Sequence, residues 1–159
     1  MNRRTTRRTA LFATAALTAA FAIAGCSDSS DSAKDGKPVL KVTGAFMPQP
    51  VTSEMAGGFM VIENTSDTAD KLTSVTSTIS DDVQVHETKD QKMQQVKSMD
   101  VPANGELRLE RGGSHVMFMG LKNTPKVGDK VAVELHFEKA DPVKVELDVK
   151  ERTYNSTHH

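Results

Sequence analysis

The chain has 159 residues, a formal net charge of −1 and 26% charged residues. So even a balance gives no electrostatic case for a nucleic-acid partner. One cysteine in the whole sequence excludes a disulfide within the chain, so any folded domain must be held by its core alone.

The N-terminus reads as a processing segment. Arg3, Arg4, Arg7 and Arg8 make a positive region, and Leu11 to Ala24 a short apolar run. A run of about 14 residues falls short of the roughly 20 that a membrane span needs, so a secretory signal is expected. The run ends in Ile23-Ala24-Gly25-Cys26, which looks like a lipobox. Cleavage before Cys26 and a diacylglyceryl thioether on its sulfur would follow. The paired arginines hint at twin-arginine export, but Thr9-Ala10-Leu11 continues them poorly, which favours ordinary secretion. The expected division is 1–25 signal peptide, 26–37 lipidated Cys26 and flexible polar tether, 38–151 folded domain and 152–159 disordered tail.

From Pro38 onward, short alternating apolar segments are cut by turn residues. They predict strands at Val39–Phe46, Gly58–Glu63, Lys71–Thr78, Val83–Thr88, Lys92–Met99, Glu106–Glu110, His115–Met119, Lys130–Glu138 and Val143–Val149. The fold class is therefore all-β, an antiparallel β-sandwich of about nine short strands, with closure into a barrel as the alternative.

Alternation also assigns faces. In Val83-Gln84-Val85-His86 the valines point inward and His86 outward. In His115-Val116-Met117-Phe118-Met119, Val116 and Phe118 take one face; His115, Met117 and Met119 take the other. Half-burial alone does not explain a methionine face opposite a Val/Phe face. Two imidazoles (His86, His115) and two thioethers (Met117 and Met93) make a neutral donor set that suits Cu(I), a soft d¹⁰ ion. With no thiolate in the folded domain, a blue-copper centre is excluded.

Each candidate has a plainer reading. Met93 alone would be core filler, and Met99 competes with it for the same role. Met119 is a spare ligand or packing; Met47, Met55 and Met60 read as core or loop residues, with Met55 the first choice among them as an outer participant. His136 reads as a solvated surface residue. His158 and His159 end the chain and offer at most a loose, secondary Cu(II) site.

These residues resemble the periplasmic CuA-type copper chaperones, the PCuAC family, whose motif is H(M)-x₁₀-M-x₂₁-H-x-M. Twenty-one residues separate Met93 from His115, and His115-Val116-Met117-Phe118-Met119-Gly120-Leu121 looks like the family's HxMxMGL. VTGAFMPQP, AGGFMVIEN and VGDKVAVELHFE are also similar, so the resemblance runs from Val39 to Val149. Two departures are visible. Six residues rather than ten separate His86 from Met93, which keeps Met99 in play, and Phe46 stands where the family carries Trp.

The resemblance implies a Greek-key, cupredoxin-like sandwich that binds Cu(I) through His86, Met93, His115 and Met117. It implies a monomer, anchored by Cys26 to the outer face of the cytoplasmic membrane. Copper would go toward the CuA domain of oxidase subunit II, directly or through a Sco-type protein. Copper buffering or resistance without a dedicated acceptor is the alternative. An enzyme is not expected: the sequence holds no HExxH, no glycine-rich phosphate loop and no Ser-His-Asp order.

Overall fold

A computed structural model describes residues 36–156. Cys26, the signal segment, the tether as far as residue 35, His158 and His159 lie outside the described residues. Every regular element among the described residues is a strand. In chain order these are β1 (Leu40–Pro48), β2 (Met55–Asn64), β3 (Asp70–Ser77), β4 (Asp82–Lys89), β5 (Lys92–Val96), β6 (Met99–Val101), β7 (Gly105–Leu109), β8 (His115–Met119), β9 (Lys130–Phe137) and β10 (Val143–Lys150).

The hydrogen-bonded order is β5-β4-β8-β2-β1-β10-β9-β3-β6, with β7 pairing β2 off that path. β2 is the bridge between two walls. Its first half, Met55 to Gly58, pairs with β8, and its second half, Met60 to Asn64, pairs with β7. One wall is therefore β5-β4-β8 with the start of β2, and the rest of the strands form the other. The all-β architecture is the expected one, and its pairings are antiparallel with one exception. β1 and β10 run parallel, a contact the sequence pattern did not announce.

The core follows from the period-2 pattern of the strands. In β9, Val131, Val133 and Leu135 are buried; in β10, Leu147 and Val149; in β8, Val116 and Phe118. Met47 and Met60 are fully buried among them, as their sequence context suggests. Buried polar groups are tied down. Asp70 accepts from the backbone N–H groups of Lys71, Lys139 and Ala140, and Asn64 donates to the Thr68 carbonyl.

One boundary differs from the sequence reading. The segment expected as one strand, Lys92 to Met99, is two. β5 has almost no inward apolar face, so it stays a ribbon on β4. After Lys97 and Ser98 the alternation restarts: Met99 and Val101 turn into the core around exposed Asp100, and β6 pairs with β3 instead. The described part of the tail makes two contacts with the domain. Tyr154 packs edge-on against Phe46 at 4.9 Å between ring centroids, and the Arg152 carbonyl accepts from Arg111.

At Gly58 the two walls approach too closely for a side chain. A Cβ there would meet the Phe118 ring at 2.9 Å and Leu147 at 3.2 Å. Gly58→Ala is expected to lower stability by about 1–3 kcal/mol, as overpacking does, measured as a fall in the urea unfolding midpoint against wild type.

Candidate metal centre

The site is laid out by the register between β4 and β8. Val85 pairs with Val116 and His86 with His115. Val85, Val116 and Phe118 are buried, so the alternate residues of both strands must face outward. Direct cross-strand partners share a face. The outward face of the pair therefore carries Gln84 opposite Met117 and His86 opposite His115.

The two imidazoles stand with ring centroids 5.5 Å apart and planes at 40°. Their hydrogen bonds fix which nitrogen is free. His115 Nδ1 lies 3.0 Å from the Gly113 carbonyl oxygen; a carbonyl only accepts, so Nδ1 carries the proton and Nε2 keeps a lone pair. His86 Nε2 lies 2.9 Å from Gln84 Oε1. The Gln84 amide nitrogen donates to both carboxylate oxygens of Asp82, at 3.0 and 3.1 Å, which orients the amide oxygen toward His86. His86 therefore donates from Nε2 and leaves Nδ1 free. One lone pair per ring is available, and each ring is held by a partner behind it, the usual arrangement of metal-binding histidines.

Gly113 has a second task. Its carbonyl also accepts from Thr88 Oγ1 at 2.9 Å, so one oxygen ties β4 to the loop before β8. That loop turns at Gly112 with φ 78°, a conformation that suits glycine.

Met93 reaches the same face by a tight hairpin. Lys89 pairs with Lys92 and Thr88 with Met93, so only Asp90 and Gln91 form the loop. Both have positive φ, 50° and 62°, as a two-residue type I′ turn demands. His86 lies opposite Gln95, which makes Met93 its diagonal neighbour on the same face. The six-residue interval from His86 to Met93 is thus a tight hairpin that returns the thioether to the face of the imidazoles. Met93 is 65% exposed. Met117 and Met119 are half-buried, and Met55, opposite Met119 on β2, is exposed.

Met99 is a correction. It sits on β6, whose only strand partner is β3, and its side chain is in the core cluster. A sulfur sealed there does not face His86 and His115; of the two methionines, Met93 is the one on their face. His136 lies on β9, with Nε2 3.2 Å from the Thr76 hydroxyl, away from this face.

The sequence reading missed the support around the ligands. Gln84 is two residues before His86 on the same face, a spacing that could have revealed it. Phe59 stacks beside His115 at 6.3 Å, backed in turn by Phe46 at 5.2 Å and by Tyr154. The Phe59 ring folds over Gly57, where a Cβ would meet it at 3.2 Å. No local pattern announces that contact.

Among the described residues, no three His, Cys, Asp or Glu side chains come together as a metal site. The thioethers of Met93 and Met117 share the face of the two imidazoles, and an imidazole–thioether set favours soft ions.

The fold and this face define a cupredoxin-like β-domain with an outward imidazole–thioether surface. The chain belongs to the LpqE-like family, described as "Putative lipoprotein LpqE-like", which it matches over residues 40–149. It is 35% identical over 104 residues to "Putative lipoprotein Lxx21020" of Leifsonia xyli subsp. xyli (strain CTCB07). That match covers 62% of this chain and 63% of the relative, so the chain spans less than two thirds of the relative's length.

Among solved structures it resembles the copper-bound PCuAC domain from PmoF2, at 25% identity and TM-score 0.64, over 70% of this chain and 92% of that one. It also resembles the Cu(I) form of DR1885 from Deinococcus radiodurans, at 27% identity and TM-score 0.59, over 75% of this chain and 80% of that one. The family resemblance read from the sequence is thus matched by the fold.

The environment of His86 makes a prediction. Burial first, and the neighbouring His115 second, hold its pKa below the ordinary 6.5. Below 6.5 the unfolded chain takes up this proton before the folded one does. The stability His86 contributes is therefore complete above 6.5 and is lost as pH falls through its lower folded value. Urea unfolding of the metal-free protein across this range should show that decline, and His86→Gln should remove the part due to this ring.

Proposed function

We propose that the chain is an extracytoplasmic copper chaperone that binds Cu(I) through His86, Met93, His115 and Met117 and passes it to an acceptor protein. The observation that carries this reading is the register pair of His86 with His115, with Met117 and Met93 beside it on one accessible face. The likeness to a copper-bound PCuAC domain and to a Cu(I) protein supports the choice of ion. The donor set supports it independently: it is neutral, has no thiolate to oxidise, and is soft.

Exposure favours transfer over storage. Met93 stands largely in solvent on a ribbon, where an incoming partner's ligand can displace it, while His115 is buried and anchors the ion to the last. The exchange needs no redox step, because Cu(I) moves between ligand sets without changing oxidation state. The acceptor in this proposal is the CuA domain of oxidase subunit II or a Sco-type protein. The lipoprotein family supports Cys26 as the lipid anchor on the outer face of the membrane. Binding and delivery, rather than catalysis, is the role these donors support.

Anaerobic Cu(I) titration tests the ligand set. His115→Ala and Met117→Ala should each weaken binding by on the order of 100-fold, at or above the effect of losing a supporting group. Met93→Ala should weaken it too, whereas Met99→Leu should leave it unchanged. Undiminished affinity in His115→Ala would end the proposal. Tight binding with no transfer to a purified CuA domain would turn it to buffering. Cys26→Ser should move the protein from the membrane fraction to the soluble one, as read by fractionation of cells.

A further inference from the structure

The methionines among the described residues divide into two sets. Met47, Met60 and Met99 are buried in the core. Met55, Met93, Met117 and Met119 are not, and all four lie on the outward face of the wall formed by β5, β4, β8 and the start of β2. Scattered exposed apolar residues are ordinary. A set confined to one face, with the imidazole pair in its middle, is not scattered.

Met93 and Met117 flank the imidazoles; Met55 and Met119 do not. They are direct cross-strand partners at the opposite end of the face, where β2 meets β8. Cβ atoms of such partners stand about 4.5–5.5 Å apart. Each Met has three rotatable bonds, so the two sulfurs can close on one ion from that base. Met117 lies two residues before Met119, and its own partner on β2 is Gly57, over which the Phe59 ring folds. Met55 and Met117 also line one open groove of about 340 Å³.

We propose that Met55 and Met119 form a second station for a soft monovalent ion, Cu(I) or Ag(I), with Met117 as the ligand that this outer station shares with the inner one. A d¹⁰ ion is content with two thioethers in line and accepts a third. The nearby charges are of both signs. Asp82, whose carboxylate accepts from the Gln84 amide, is the partner of Met119 on β4. Arg111 and Arg152 line the groove; Arg111 donates to the Arg152 carbonyl and lies over the Phe59 ring. The outer station contains no imidazole, so it binds without competition from protons. An ion passing from Met55 and Met119 to Met117 and then to His115 exchanges one ligand at a time. This inference rests on the inner site proposed above, whose ion it would feed or receive.

The test is a titration of the full chain, labelled with carbon-13 methyl methionine, with Ag(I) followed by NMR. The first equivalent should move the methyl signals of Met93 and Met117 and the ring signals of His86 and His115. The second should move those of Met55 and Met119. In the variant Met55→Leu/Met119→Leu, which conserves volume and apolar character, the second response should vanish and the first remain. Stationary Met55 and Met119 methyl signals at two equivalents would overturn the outer station. So would a second equivalent bound equally well by the double variant. If the first equivalent leaves the imidazole signals unmoved, it is the inner site that fails, and the Met55 and Met119 responses still decide the outer one.

Discussion

Everything at the functional face depends on the pairing of β4 with β8 in one register. A slip of a single residue would send His86 to the interior and Val85 to solvent. Val85, Val116 and Phe118 oppose that slip by filling the core. The Ser80 hydroxyl, bonded to the Met119 and Asp82 carbonyls, fastens one end of the ladder. The Gly113 carbonyl, shared by Thr88 and His115, fastens the other. The apolar residues on the inner face of the two strands are thus what hold the two imidazoles side by side.

Much of this arrangement is legible in the order of the amino acids. Period-2 alternation in β8 places His115 and Met117 together, and alternation in β4 puts His86 outward. Those statements need only local sequence, because a strand assigns its faces residue by residue. Choosing between Met93 and Met99 needs more. Both are methionines in one apolar-polar segment, and only pairing tells them apart: β5 stays with β4, while β6 crosses to β3. The parallel contact of β1 with β10 is hidden for the same reason, since residues far apart in the chain decide it. The ring stack from Tyr154 through Phe46 and Phe59 to His115 joins four separate segments, and no pattern within any of them predicts it.

The support around the imidazoles shows a division of labour. His115 leans on a backbone carbonyl, which has no alternative state. His86 leans on Gln84, which in turn is oriented by Asp82. The first ring is buried and set by the main chain; the second is half-buried and set by two side chains that can rearrange. An ion between them would have one imidazole held by the main chain and one held by side chains, with the most exposed of the proposed donors, Met93, at the hairpin edge. Such a gradient of support suits ordered ligand replacement.

The donor groups all belong to the outer surface of a wall whose inner surface is already filled. No part of the hydrophobic interior waits for an ion to complete it. The proposed receptor is therefore finished before any ion arrives, and release of its cargo would leave the packing of the wall as it was.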